Sequence, residues 1–361
     1  VTCATGFGPS SKADRDYENL IVSARQHMRR AETFSRDFSH HRPIRQEDHV
    51  MTSPASFPDY VTIALWATNL GKPISSMADW ADHVDGQMAK AAKQGAKVFV
   101  MPEYDSEQWM AFKPEGLQPN QEISWMADQA PAAREHAARL SKKHDMLFVA
   151  GSMPWHLDPA DPAKGQTNSA MIFTPEGDAI IQDKLSLTPG EQEPDDWNLI
   201  PGKEFSVFKW RGLNVAVLIC LDIEMPALSC LLAPLDIDLL LVPSMTMTPS
   251  GYHRVFGCAK ARAVELMTVI GACGTTGTAV NTTQNPTNYS GCSVFTPCEP
   301  QLGHTGIFAQ TEPTFDDGGD GEMLIAKDIP VGLVRALRGG DAEVWPGGWT
   351  ANHVQINSKT S

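Results

Sequence analysis

Three side chains with complementary chemistry close three apolar runs. Val98-Phe-Val-Met-Pro-Glu103 ends in a carboxylate, Ile180-Ile-Gln-Asp-Lys184 in an ammonium, and Val215-Ala-Val-Leu-Ile-Cys220 in a thiol. Such runs read as buried strands, and in α/β sheets sites form beyond the carboxyl ends of strands. The three groups could therefore converge. A thiol with a pKa of about 8.5 is mostly protonated at neutral pH, and the thiolate is the nucleophile. Glu103 could take the Cys220 proton as general base and return one to a leaving amine. Lys184 could stabilise the charge that develops on a tetrahedral intermediate, with the backbone N–H of Leu221 completing the oxyanion site. Cys220 stands between a strand and a helix that begins near Pro226, which suits an exposed elbow.

Each residue taken alone has a plainer reading. A Cys at the end of an apolar strand is commonly a small buried hydrophobe. Pro-Glu after a strand is often a surface turn, and a Lys in Asp-Lys-Leu is usually solvated. His253 could instead pair with Cys220, although its place after a turn suits a surface or capping role. The chain has no Gly-x-Ser-x-Gly elbow. The joint occurrence of the three groups, each after an apolar strand, favours chemistry.

The elements that must position them begin at Tyr60. Val61 to Ala67 reads as a buried strand. Ser75 or Ser76 can cap a helix that carries Met77, Trp80, Ala81, Val84, Met88 and Ala91 on one face and closes at Gly95. Ala96 to Met101 is the next strand. Pro131 to His144 reads as a helix, and Met146 to Gly151 as a strand. Ser169 to Thr174 and Ala179 to Asp183 form a hairpin around Pro175-Glu-Gly-Asp178. Phe205 to Trp210 and Asn214 to Ile219 form another. A helix over Met225 to Ala233, a strand over Ile237 to Val242, a helix over His253 to Met267, and strands over Thr268 to Gly274 and Cys292 to Thr296 follow. The interleaving predicts an α/β class with mixed sheets. The run Asp316 to Glu322 lacks the ligand spacing of a calcium loop and reads as a polar turn.

These segments together resemble the carbon–nitrogen hydrolase (nitrilase) superfamily from about Val61 to Phe308. The resemblance rests on Val-Met-Pro-Glu103, on Lys184-Leu-Ser-Leu-Thr-Pro-Gly-Glu191 and on Leu-Ile-Cys220-Leu-Asp222. Leu239 to Ser244, Arg262 to Glu265 and Ser290 to Pro297 look like the family's downstream segments. The resemblance implies a four-layer αββα sandwich and oligomers that stack it. It also implies a Glu103–Lys184–Cys220 triad, a thioester acyl-enzyme, and no metal or organic cofactor. A second family glutamate matches Glu191, with the implied role of orienting Lys184 and the substrate. Met245 falls at a position that lines the family's pocket, and Tyr104, beside the base, is a further pocket candidate; both could equally be packing residues. Cys220-Leu-Asp222 looks like the amidase-type branches rather than the nitrile-hydrolysing Cys-Trp-Glu. Many amidase-type chains continue Ile-Arg-Phe-Pro-Glu, where this one has Ile223-Glu-Met-Pro-Ala227. Thr246 to Val255 and Ala261-Arg-Ala263 resemble a branch often fused to an N-terminal acetyltransferase, which residues 1–58 do not contain.

Composition bounds the alternatives. The chain has 361 residues, 42% of them hydrophobic, enough for a large core. Its 43 acidic and 29 basic residues give a formal charge of −14, which argues against nucleic acid or an anionic membrane surface as partner. No apolar run approaches a spanning helix. Val1 to Ser10 has no secretory character, and a start at Val suggests a trimmed N-terminus. Seven cysteines without a Cys-x-x-Cys pair suggest a reducing, cytoplasmic setting rather than disulfides or zinc. The expected organisation is an extension over 1–58, with a helical arm at Asp16 to Phe34, a hydrolase domain over 59–335 and an irregular tail over 336–361. The expected function is cysteine-dependent hydrolysis of a small linear amide by a homo-oligomer. A nitrile hydrolase or acyl transferase using the same groups is the alternative enzyme, and a silent homologue acting in binding or assembly is the alternative of another class.

Overall fold

A computed structural model of the protein describes residues 57–283, 287–316, 318–340, 342 and 354–355. The arm expected at Asp16 to Phe34 and most of the expected tail lie outside these residues. Two six-stranded mixed sheets form the centre. The first has the order β12-β1-β2-β3-β4-β5, from β1 (Val61–Thr68), β2 (Val98–Glu103), β3 (Leu147–His156), β4 (Gln166–Phe173), β5 (Ala179–Asp183) and β12 (Gly321–Ile329). The second has the order β11-β10-β9-β8-β7-β6, from β6 (Val207–Trp210), β7 (Leu213–Val217), β8 (Leu239–Ser244), β9 (Val269–Gly274), β10 (Cys292–Phe295) and β11 (Ile307–Gln310). In each sheet three parallel strands, β1–β2–β3 and β7–β8–β9, are flanked by antiparallel ones.

Period-two alternation explains the layers. Ile63, Leu65, Val98, Val100, Leu147 and Val149 point toward the second sheet and share a core with its strands. The intervening Ala64, Trp66, Phe99, Met101, Phe148 and Ala150 point the other way, onto α1 (Met77–Lys93) and α2 (Glu122–His144). Strands buried on both faces become the continuous apolar runs visible in the sequence. On the outer face of the second sheet lies α5 (Pro249–Glu265), through Val255, Phe256, Ala259 and Ala263. The result is an αββα sandwich.

Several elements differ from expectation. Helix α2 starts at Glu122 rather than Pro131, because Ile123, Met126, Ala127 and Ala130 already continue its buried stripe. Pro131 sits on the exposed side, where its lost backbone hydrogen bond is tolerated. Helix α5 begins at Pro249, capped by Thr248, which accepts from Gly251 N at 3.2 Å. Strands β11 and β12 and the helix α6 (Val331–Arg338) were not expected, and α6 runs across the anticipated boundary at residue 335. Within the run Asp316 to Glu322, residues 318–320 bend into β12, to which Gly321 and Glu322 already belong. Asp320 there pairs with Lys72 and accepts from Gln87 Nε2 at 3.1 Å, while its carbonyl accepts from Trp66 Nε1 at 3.1 Å.

One irregularity sets the end of β2. The β3–β4 register slips between Val149 and Ser152, and Gly151 adopts a φ of 67° there. A Cβ on Gly151 would lie 2.2 Å from the carbonyl oxygen of Pro102, immediately before Glu103. Gly151→Ala should therefore cost about 1–3 kcal/mol from φ alone and also displace Glu103. Gly177, with a φ of 113° and open space around it, is the control. Denaturant unfolding should find both Ala variants destabilised, while turnover should fall in Gly151→Ala only.

Candidate active site

Glu103 is the last residue of β2 and is 1% exposed. Lys184 follows β5 directly, and its backbone N–H is held by the carbonyl of Asn168 in β4 at 2.8 Å. Lys184 Nζ lies 2.8 Å from Glu103 Oε1 and 2.7 Å from Glu191 Oε2. Glu191 belongs to α3 (Pro189–Gln192), a single turn capped by Thr188. In that capping box the Thr188 N–H and hydroxyl both donate to Glu191 Oε2, at 2.8 and 3.0 Å. The cap thus aims the carboxylate inward, at Lys184.

Two further donors complete the cluster. Tyr104 O–H donates to Glu191 Oε1 at 2.9 Å, and its ring meets Trp197 edge to face at 4.7 Å. Asn168 Nδ2 donates to both carboxylates, at 2.8 Å to Glu103 and 3.1 Å to Glu191. Asn168 was absent from the expected site. An Asn within the polar run Gln166-Thr-Asn-Ser169 carries no distinguishing signal, and only the pairing of β4 with β3 and β5 reveals it.

Cys220 begins a short 3-10 turn, Cys220–Glu224, with a φ of 47°. This left-handed backbone is unusual for a residue other than glycine and turns the side chain away from the strand direction. The thiol lines the same cavity as Glu103, and Sγ lies 3.5 Å from the carbonyl oxygen of Met245, just beyond β8. Asp222, two residues on, fastens the turn. It accepts from the backbone N–H groups of Ser186 at 2.7 Å, Leu185 at 3.1 Å and Ile219 at 3.2 Å. One buried carboxylate therefore ties the Lys184 loop to the Cys220 turn. The sequence motif contained Asp222, but this role was not expected.

Electrostatics follow from burial and neighbours. Burial pushes the Glu103 carboxyl up; Lys184 pulls it back and Glu191 adds to the rise. Glu191 is also disfavoured by burial, but Lys184 and its hydrogen bonds hold it below the usual carboxylate range. Burial opposes the Lys184 ammonium, yet the two glutamates overcome it and fix the charge. Burial and the Glu103 charge raise the Cys220 thiol well above its usual range, with Lys184 opposing. The resting arrangement is a neutral thiol facing a carboxylate that shares a fixed ammonium.

All seven expected residues, Glu103, Lys184, Cys220, Glu191, Tyr104, Leu221 and Met245, line one cavity of about 450 Å³. His253 is exposed and outside it, so a Cys–His pair does not form. Among the described residues, no cluster of three or more His, Cys, Asp or Glu is placed to hold a metal, and no helix is long and apolar enough to cross a membrane. The described cysteines are free thiols.

Residues 50–299 match the family model for carbon-nitrogen hydrolases. The chain belongs to that family. It is 26% identical over 267 residues to the probable hydrolase YhcX of Bacillus subtilis (strain 168), covering 74% of this chain and 49% of that protein. It is 38% identical over 104 residues to an (R)-stereoselective amidase of Pseudomonas sp., covering 28% of this chain and 36% of the relative. The chain thus spans about half or less of the length of these curated relatives. A solved amidase from Nesterenkonia sp. AN1, carrying the acetamide moiety of fluoroacetamide on its active-site cysteine, matches with a TM-score of 0.58 at 21% identity. That match covers 79% of this chain and 96% of the amidase, and it establishes the shared sandwich.

The Asp222 tie is open to test. Asp222→Asn turns an NH₂ group toward backbone donors and should cost about 1–3 kcal/mol of stability. Burial raises the Asp222 carboxyl to about 6. A folded-state value above the unfolded one means that its stabilisation is complete below about 4 and lost as pH rises through about 6. The stability gap between wild type and Asp222→Asn should therefore be wider at pH 5 than at pH 7.5 in urea titrations.

Proposed function

We propose that the protein hydrolyses the carbon–nitrogen bond of a small amide, with Cys220 as nucleophile. The observation that carries this reading is the Cys220 thiol in one cavity with a buried carboxylate, Glu103, that itself shares the Lys184 ammonium at 2.8 Å. Glu103 takes the Sγ proton as sulfur attacks the amide carbon. Burial that disfavours a free thiolate ties proton transfer to attack. The tetrahedral oxygen is stabilised by Lys184 Nζ and the Leu221 N–H. Protonated Glu103 then donates to the leaving nitrogen, and ammonia or an amine departs from a thioester on Cys220. Water, deprotonated by Glu103, attacks the thioester and releases the acid and the thiol. Glu191 and Asn168 hold Lys184 and Glu103 in register, and Tyr104 braces Glu191. Met245 receives the thiol and borders the acyl group. The domain is proposed to span 59 to about 338, and to self-associate, a reading supported by the exposed Leu231 and Leu235 beside α4 (Pro226–Leu232).

A panel of small amides, nitriles and N-carbamoyl compounds, followed by ammonia release, tests the reading. Amides should release ammonia and carboxylic acid. Release from nitriles alone would point to the nitrile reaction, and hydroxamate formed from added hydroxylamine without hydrolysis would point to acyl transfer. Cys220→Ala should keep the circular dichroism spectrum and lose turnover; retained turnover rejects the nucleophile. Lys184→Met should lower turnover by about 10²–10³ and slow iodoacetamide labelling of Cys220, with little rescue by Lys184→Arg. Near wild-type turnover in Lys184→Met would remove Lys184 from the mechanism.

A further inference from the structure

The charges that line the cavity are unevenly distributed. Four carboxylates, Glu103, Glu191, Asp196 and Glu224, border it against two cations, Lys184 and Arg254. Lys184 is spent on the two deep glutamates. Asp196 and Glu224 stand toward the mouth, where Arg254 Nε contacts Glu224 Oε2 at 3.2 Å. The partners differ in setting: the Arg254 side chain is 62% exposed and that of Glu224 only 14%. An ion pair with one partner mostly in water is weak and exchangeable. The half-buried Trp197 adds a ring face to the same wall.

We propose that this cavity takes an amide whose far end carries a positive charge, an ammonium or guanidinium, with Glu224 as its specificity-determining partner. The proposal rests on the amidase reading and adds the substrate class. Glu224 closes the turn that Cys220 opens. Both line the cavity, at opposite ends of that turn, so a cation carried a few methylenes beyond the amide can reach Glu224. A cation of that reach displaces Arg254 from Glu224 and lies along Trp197, where ring and carboxylate both favour it. A terminal carboxylate in the same position meets Glu224 and Asp196 and is rejected. Specificity then comes from repulsion as well as attraction.

The test compares 5-aminopentanamide, its neutral isostere hexanamide, and glutaric acid monoamide. Calorimetry on Cys220→Ala measures binding without turnover, and ammonia release on the wild type measures kcat/KM. Both should rank the cationic amide first and the anionic one last, with about tenfold or more between cation and isostere at low salt, narrowing as salt rises. Glu224→Gln should collapse the ratio of cationic to neutral amide, and Arg254→Gln should enlarge it. Equal or better binding of hexanamide, or a ratio unmoved by Glu224→Gln, overturns the proposal. If the binding order holds but no amide is cleaved, the hydrolysis reading falls and the charge selection stands.

Discussion

The structure is organised around a buried ammonium held between two carboxylates. Lys184 is 2% exposed, and Glu103 and Glu191 sit within 2.8 Å of its Nζ. Removing three charges from water is costly, and mutual attraction offsets that cost only when the remaining polar valences are filled. Here they are filled from every side. Asn168 reaches both carboxylates, Tyr104 and Thr188 complete Glu191, and the Cys220 thiol borders the same cavity as Glu103. These groups come from β4, from the segment after β2, from the cap of α3 and from the turn after β7. The cluster forms only when both sheets and their crossing loops are in place, so assembling the fold and assembling the site are one event.

That dependence explains the irregular backbone around the cluster. Tyr104 and Cys220, immediately at the site, have φ values of 52° and 47°, and Gly151 beside them has 67°. Regular strands would carry alternate side chains to the two faces of a sheet, into apolar layers on either side. A polar constellation at a strand end needs the chain to leave that alternation abruptly. Left-handed residues do so within one position, and the surrounding hydrogen bonds hold them there. The Tyr104 N–H to the Ser152 carbonyl, at 2.8 Å, and the Asp222 ties are restraints of this kind.

Much of this was legible in the sequence, and the missing parts have physical causes. The strands before Glu103 and Cys220 are almost wholly buried, so their apolar runs stand out and the polar residue beyond each is conspicuous, whereas β5 before Lys184 is a partly exposed edge strand. An α/β class with mixed sheets followed from those runs, and the four-layer sandwich from the family resemblance that the three motifs carry. Asn168 was hidden because it stands in the polar run Gln166-Thr-Asn-Ser169, which reads as an ordinary strand entry, and its partners are 65 and 23 residues away. Strand β12 was hidden for the opposite reason: Glu322, Lys327 and Asp328 dilute its pattern, and only its antiparallel register with β1 gives it a place. Pro131 misplaced a helix start because a proline that faces solvent leaves the buried stripe of α2 intact.

The directions of the proton affinities add a last step. Glu191 is held ionised by Lys184, whereas Glu103, which meets the same ammonium, is pushed up by burial. Two carboxylates around one cation thereby become unlike: one is a fixed counter-charge and the other can change its proton. Asymmetry of this type separates a structural carboxylate from one suited to acid–base work. Its source is visible in the partners. Glu191 accepts backbone and hydroxyl hydrogens from its own cap, donors that favour its charged form, whereas Glu103 has, besides Lys184 and Asn168, a neighbouring thiol that can itself surrender a proton. Exchanging the surroundings of the two glutamates, and nothing about the residues themselves, would exchange their roles.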